Sequence, residues 1–489
     1  ATMSVRQRRQ RVRFARAAGA PRRKHERRQE ERGAADMHRW SPKKGKRVAE
    51  SLPAPTGKRM STRASLCALG LRVQHLRLFR ALYQSVKISQ KKVLYGPVDK
   101  LVDCMLGMMC GVAGVCGVNN TVRADVAISL AFGRNGCAEA SVIQETLNAC
   151  TEGNVAQLQG VLKEQLHQHG KCTHHDFKRG LLILDIDFSG QQAGKQAEGS
   201  VKCYLAGKRN KRGRQLIWVY ASQYDEIVCQ WMMPGNTSCN SKGVLQAIVE
   251  RAQEVLGLTD EQRRRTLIRT DAGFGTMENI NWLLEQGYQV LMKAHNQNHV
   301  KKVAGTVRQW EESRCRGYEM GWPERPHVYV QPTVQLALRN LKKEEKWECH
   351  LLVSTLAALT AAQLKALYNR RGGHPESSFQ QDKAGLKLIT RQKKSMQAQQ
   401  MLIGLGQMAH NILVWARRWP KDAGKESRFE RWGIERWVRD LLTIPGFVVF
   451  GGQQVRIVLS EAHPLSQGYA DAYGGFVQRS GGLLLLGET

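Results

Sequence analysis

Three acidic positions stand out in a chain otherwise short of acids. Asp185 and Asp187 sit two apart in the apolar run LLILDIDFSG (181–190). That run reads as a strand, and a strand's period of two places both carboxylates on one face. Burying a carboxylate is costly without a partner or a metal; for Asp187 the alternative is a solvated strand end. Asp271 closes TLIRTDAGFG (266–275), a strand running into a glycine-rich turn. Ligands of α/β sheets collect at the carboxyl ends of strands, and Gly273 and Gly275 permit a sharp turn. The alternative is that Asp271 caps the following helix. Glu376 lies in YNRRGGHPESSFQQDK (368–383). Pro375 suits the first turn of a helix, and Glu376 and Lys383, two turns apart, share a helix face. An ordinary charged surface helix is the alternative there. Two strand-end aspartates and a helical glutamate suit two-metal chemistry, in which two Mg²⁺ ions about 3.5–4 Å apart clamp a phosphodiester. Mg²⁺, with Mn²⁺ as its substitute, takes hard oxygen ligands, so no catalytic His or Cys is needed.

The elements that must position these residues follow from the periodicity around them. Strands LLILDID, QLIWVYAS (215–222), TLIRT and YQVLMKA (288–294) alternate with amphipathic helices at Val244–Leu256 and Asn279–Gln286. This alternation predicts an α/β domain. Upstream, Leu66, Leu69, Val73, Leu76, Phe79, Leu82 and Val86 recur every three or four residues, so 61–178 reads as all-helical. Residues 295–350 carry Trp310, Trp322 and Trp347 among prolines, and read as β-rich. Long helices follow from Ala361 to about Trp419, then a small closing segment over 421–465. Residues 466–489, rich in glycine with an LLLL run, are expected to be a flexible tail. The organisation is thus an arm (1–60), a helical domain (61–178), a core in two parts (179–294 and 351–420) split by the 295–350 insertion, and the two closing segments.

Composition narrows the partner. The 489 residues carry 75 Lys and Arg against 42 Asp and Glu, a net charge of +33. Such an excess argues against an ordinary metabolic enzyme and for a polyanion, most simply nucleic acid. The 14 Arg and 5 Lys of residues 1–60, against 5 acids, account for less than half of it. That arm is too polar to fold alone, and the body is basic without it. No CxxC pair exists among the 12 cysteines, which disfavours a zinc ribbon. Cys172, His174 and His175 lack a second ligand pair and read as a loop. Free thiols suit a reducing compartment. No signal peptide is visible, and Leu101–Val118, the most apolar stretch, is short for a membrane span; it reads as a buried helix.

The motifs together resemble the DDE transposases of bacterial insertion sequences, cut-and-paste enzymes with a ribonuclease-H-like core. LDIDFSG and AGKQAEGSVKCYLAGKRNKRGRQL (193–216) resemble the family's first-aspartate strand and the basic stretch behind it. RTDAGFGTMENINWLLEQGYQVLMK (269–293) is similar to its second-aspartate segment, and YNRRGGHPESSFQQDK to its Y-x2-R-x3-E-x6-K signature. The likeness covers roughly 130–465. It implies a ribonuclease-H-like mixed sheet flanked by helices, interrupted by the β-rich insertion and preceded by the all-α domain. It implies catalysis by Asp187, Asp271 and Glu376 with two Mg²⁺ ions, Asp185 assisting as a further ligand. Tyr368, Arg370 or Arg371, and Lys383 become DNA contacts. Four residues rather than three separate Arg371 from Glu376, so either arginine fills the signature position. Ser141, capping the helix of CAEASVIQETLNA (137–149), with Gln144 and Asn148, would meet transposon ends, or else this helix only packs in the bundle. Trp310, Trp322 or Trp347 would stack on a flipped base, or else pack in the core. The implied partners are terminal-repeat and target DNA, with a homodimer assembled on DNA, no membrane, and a cytoplasmic location. A catalytically silent DNA-binding derivative, or a ribonuclease-H-like nuclease without strand transfer, are the competing readings.

Overall fold

A computed structural model describes residues 57–487 except 91–93, 204, 206–210, 313–316, 343–345, 374–380, 391 and 452–453. After strand β1 (Gly57–Ser61) the chain is helical through α1 (Ala64–His75), α2 (Arg80–Ser85), α3 (Pro97–Met109), α4 (Val126–Ala131), α5 (Ala140–Asn148) and α6 (Glu152–His169). Leu66, Leu69 and Val73 turn one face of α1 inward, and Arg77, at φ 52°, breaks the long apolar period into α1 and α2. In α3, Pro97 opens the first turn and the Gly96 N–H donates to Asp99 Oδ2 at 2.8 Å. This helix is apolar nearly all round, as a core helix must be. Its Asp103 is fully buried but paired, accepting from Arg134 at 3.2 Å and from the Ala138 N–H at 2.8 Å. The helix expected over Leu101–Val118 stops at Met109, because Gly111 and Gly114 turn the chain at φ 69° and 81°. In α6 a reciprocal cap joins Thr151 and Asn154.

The α/β part follows. Its strands are β2 (Leu182–Gln192), β3 (Val201–Lys202), β4 (Arg212–Ala221), β5 (Glu226–Pro234), β6 (Thr266–Thr270) and β7 (Gln289–Lys293). Helices α7 (Val244–Leu256) and α8 (Asp260–Arg264) precede β6, and α9 (Met277–Glu285) joins β6 to β7. β2 pairs antiparallel with β4, which pairs with β5 and with the short β3. On its other side β2 runs parallel to β6, and β6 parallel to β7. Antiparallel neighbours on one side of β2 and parallel ones on the other make a mixed sheet of the ribonuclease-H-like kind, with β2 and β6 at its centre.

The insertion is β-rich as expected, and it extends this sheet. After α10 (Gln297–Ala304) come β8 (Glu311–Glu312), β9 (Tyr318–Gly321), β10 (Val334–Leu341) and β11 (Trp347–Ser354). β11 pairs antiparallel with β7, and β10, β9 and β8 continue outward to give ten strands. Helix α11 (Ala361–Gly373) then crosses one sheet face, where Leu364 and Tyr368 pack on Leu267, Leu291 and Leu352. Farther along the same face, Ile403 of α12 (Met396–Asp422) packs on Leu216, Trp218 and Tyr220.

The closing residues depart from expectation. After α13 (Ile434–Asp440), strands β12 (Gly446–Phe450) and β13 (Val455–Ser460) form a second sheet, ordered β1-β12-β13-β14, with β14 at Gly482–Gly487. Residues 466–487 are therefore not a flexible tail. The LLLL run is β14, parallel to β13, and α14 (Ser466–Arg479) buries Tyr469, Tyr473 and Phe476. Likewise residues 57–60 leave the basic arm and pair with β12. No helix among the described residues is long and apolar enough to cross a membrane.

Candidate active site

Strand β2 carries Asp185 and Asp187 to one face, and their surroundings separate them. Asp185 is 1% exposed. Both of its oxygens accept from Arg269 of β6, at 2.8 and 2.6 Å. Arg269 also donates to Ser222 Oγ at 3.2 Å and to the Leu367 carbonyl of α11. A buried carboxylate saturated in this way is a staple joining β2, β6 and α11. Asp185, expected to assist as a metal ligand, is thus engaged by a buried cation instead of standing open like its neighbour two residues on.

Asp187 is partly open, with 17% of its side chain exposed. Its Oδ1 accepts from the Phe188 N–H at 2.9 Å and from Arg371 Nη2 at 3.2 Å. Asp271 lies beside it, because β2 and β6 run parallel with Ile186 opposite Thr270. Asp271 Oδ1 accepts the Gly273 N–H at 3.0 Å, holding the turn. The turn must then pass close to β7, where a Cβ on Gly275 would strike the Lys293 carbonyl. Asp271 does not cap the next helix; Thr276 Oγ1 does, accepting from the Asn279 N–H at 3.2 Å.

Cations converge on these two carboxylates. Arg371 is 7% exposed. Burial disfavours its charge, but Asp187, Tyr368, Asp271 and Asp185 outweigh that and hold its pKa above the ordinary value. Its Nε has no hydrogen-bond partner among the described residues. Arg370, one residue earlier, faces solvent, so helix phase assigns the inward position to Arg371. Lys383, in the helical residues 381–385, donates to Ser189 Oγ at 2.8 Å. Burial lowers its pKa while Asp187 opposes the shift. Lys293 ends β7 5.6 Å from the centre of the Tyr368 ring. Burial and Arg371 lower its pKa, against Glu348 and Asp271.

Two of these residues, Arg269 and Lys293, escaped the sequence reading. Each had a signal: Arg269 alternates in phase with Asp271, and Lys293 ends the strand parallel to Asp271's own. Tyr368 is 9% exposed and pushed up to about 12 by burial. Expected as a DNA contact, it lies on the face of α11 that packs on the sheet, against Leu267, Leu291 and Leu352. Glu376 lies outside the described residues. Among the described residues no three His, Cys, Asp or Glu side chains are placed to hold a metal ion. Asp187 and Asp271 do fit one: hard-oxygen donors on neighbouring strands, Asp187 in the middle of β2 and Asp271 just past the end of β6, suit Mg²⁺.

The remaining DNA-contact expectations fall elsewhere. Ser141 is exposed on α5 but is not its cap; Glu139 holds that position, and Asn119 Oδ1 accepts the Ala140 N–H at 2.9 Å. Gln144 is engaged within the protein, by Asn148 at 2.8 Å and by the buried Lys393. Trp310 and Trp347 flank the Arg339 guanidinium at 4.1 and 4.4 Å, and Arg339 is paired with Glu319. Trp322 stays 44% exposed. His174 and His175 contact the His167 carbonyl and the Tyr224 hydroxyl at 2.8 and 2.7 Å.

The family model described as "Transposase DDE domain group 1" matches residues 42–479. No curated protein matches the chain. Among solved structures, one titled as the piggyBac transposase synaptic complex with hairpin DNA, determined by cryo-EM, aligns with a TM-score of 0.43 and 12% identity. The alignment covers 87% of this chain and 84% of that one.

Proposed function

The chain belongs to the family of group 1 transposase DDE domains, and from that premise we propose that it cuts DNA at element ends and joins the freed strand to target DNA. The observation carrying this reading is the pair Asp187 and Asp271. They are brought together from strands far apart in sequence, Asp187 in the middle of β2 and Asp271 just past the end of β6, with Arg371 and Lys383 beside them. Glu376 is proposed as the third acid. The chain on either side of it is anchored at β2, by Arg371 on Asp187 and by Lys383 on Ser189.

Asp187, Asp271 and Glu376 would hold two divalent ions, preferably Mg²⁺. Bound there, such ions lower the pKa of an attacking water or hydroxyl and neutralise charge on the scissile phosphate. The protein supplies the rest. Gly273 and Phe188 donate backbone N–H groups to the two aspartates and fix their rotamers. Arg371 neutralises part of the carboxylate charge, so the pocket stays folded before any cation enters. Lys383 and Lys293, less basic than usual, present point charges to DNA phosphates flanking the cut. Terminal-repeat and target DNA are the proposed partners, with two copies assembled on DNA. Exposed Trp322 and Arg370 are proposed as further DNA contacts.

The test uses the full chain, a plasmid carrying the element's terminal repeats, and Mg²⁺ or Mn²⁺. Asp187→Asn, Asp271→Asn and Glu376→Gln should each abolish cleavage and weaken Mn²⁺ binding measured by calorimetry, while repeat binding persists. Cleavage by Asp271→Asn at the wild-type rate would sink the assignment. Repeat binding without any cleavage by the wild type would favour a silent DNA-binding derivative.

A further inference from the structure

A second concave site lies away from the aspartates. A cavity of about 540 Å³ opens where α1, α6, α12 and α14 end, and no residue of β2, β6 or α11 lines it. Its floor is aromatic, formed by Trp415, Trp419 and Phe476, which are 4%, 9% and 6% exposed. Its walls are basic. Two wall cations are neutralised within the protein: Lys171 by Asp422 at 2.7 Å, and Arg418 by the buried Glu226, also at 2.7 Å. Two others are not. Arg72 and Arg479 have no carboxylate partner and donate to no carbonyl among the described residues, and Arg72 Nε is buried without any hydrogen-bond partner. Arg72 lies 5.4 Å from the Phe476 ring centre and Arg479 4.6 Å from it, so one ring carries both guanidinium groups. Burial, and then Arg479, depress the basicity of Arg72.

Helix C-termini ordinarily attract cations, which explains why arginines are tolerated here. It does not explain two that bond to none of the terminal carbonyls. Those carbonyls have their own partners: Arg72 O accepts from Leu76 N, Leu166 O from Gly170 N, and Phe476 O from Ser480 N. Two like charges held together over an aromatic floor are relieved by an anion bridging them, and guanidinium forks fit phosphate bidentately. The cavity is larger than a bare phosphate needs and lies within the range of ligand pockets, about 300–1,000 Å³. With the Phe476 ring taken by the arginines, the slightly exposed edges of Trp415 and Trp419 are what the floor offers a planar body. We propose that this cavity is a nucleotide site, with Arg72 and Arg479 gripping the phosphate and the aromatic floor taking the base. The nucleotide is either free or one unit of a DNA strand.

Calorimetric titration of the full chain in EDTA, at about 0.15 M salt, distinguishes the sources. The probes are dAMP, inorganic phosphate and a ten-nucleotide single strand. A free-nucleotide site predicts saturable 1:1 binding of dAMP, at least about tenfold tighter than phosphate and about tenfold weaker in Arg479→Gln. Binding of the strand alone, weakened equally by Arg479→Gln, assigns the site to DNA. Arg479 is exposed at a helix end, so this variant should keep its fold, as melting would verify; Arg72→Gln is the stronger but riskier change. The proposal is overturned if Arg479→Gln binds dAMP and the strand as the wild type does, or if phosphate binds as tightly as dAMP.

Discussion

Asp185 and Asp187 share a strand face, and a single difference in burial gives them opposite uses. Asp185 is sealed beneath α11 with Arg269; Asp187 is one turn of the pleat nearer the opening. Removing one partner of a buried pair strands the other charge, at about 3–5 kcal/mol. Arg269→Ala should therefore lower unfolding stability by about that amount in urea melts, with loss of cleavage only as a consequence. Asp187→Asn should do the reverse, abolishing cleavage with a much smaller stability loss. Equal stability losses in the two variants would remove the distinction. Lys383 belongs to the same scale. If its ammonium serves a phosphate, Lys383→Ala should cut slowly and recover partly at low salt, where the remaining phosphate contacts are stronger. Cleavage near the wild-type rate at both salt concentrations would reject that role.

At the scale of elements, the site depends on a turn and on the helical residues 381–385. The β6–α9 turn passes β7 so closely that Gly275→Ala must displace the Lys293 carbonyl. Backbone shifts of this kind cost about 1–3 kcal/mol, and because Asp271 and Lys293 flank the contact, cleavage should fall more than stability does. The helical residues 381–385 are held through Asp382 by His410 of α12. His410 lies 2.8 Å from Asp382 Oδ1 on one side and 2.8 Å from the Asp225 carbonyl on the other. Both are acceptors, so only the doubly protonated ring donates to each. Burial disfavours that charge, yet Asp382 and the Asp225 carbonyl prevail and raise the pKa above 6.5. With the folded value raised, the stabilisation is complete below the unfolded value near 6.5 and is lost as pH rises through the folded one. Urea midpoints should therefore drop as pH rises above about 6.5, and His410→Gln should flatten that dependence. A midpoint constant from pH 6 to 9 in the wild type would contradict this.

At the scale of the whole molecule, β1 and β14, far apart in sequence, form the two edges of one sheet. Ser61 donates to Asp125 at 2.8 Å, and Tyr469 to the Ser65 carbonyl at 2.7 Å. Deleting residues 1–56 should weaken nonspecific DNA binding and lower its salt dependence, because it removes basic side chains that neutralise phosphates. Extending the deletion through Ser61, or truncating after residue 465, should lower the melting temperature, since each removes a strand of the β1-β12-β13-β14 sheet. Identical melting of the 1–56 and 1–61 deletions would show β1 to be dispensable.

What the sequence determined by itself were properties of short range: the period of two that aligns Asp185 with Asp187, the DAGFG turn after a strand, the strand and helix alternation of an α/β core, and the charge that points to a polyanion. Even the choice of Arg371 over Arg370 was locally encoded, since Leu364, Leu367, Tyr368 and Arg371 repeat at helical spacing. Only the tertiary structure decided what each group faces. Arg269 meets Asp185 because β2 and β6 pair in parallel register, joining residues 84 apart in the chain. Gln144 is engaged by Lys393, and Trp310 and Trp347 hold Arg339, because distant elements land beside them. The LLLL run looked structureless for the same reason: a short apolar strand has no meaning until β13 supplies the partner for its backbone hydrogen bonds. Local pattern fixes which elements form, whereas the partners that make a carboxylate a staple or an open ligand come from contacts between elements remote in sequence.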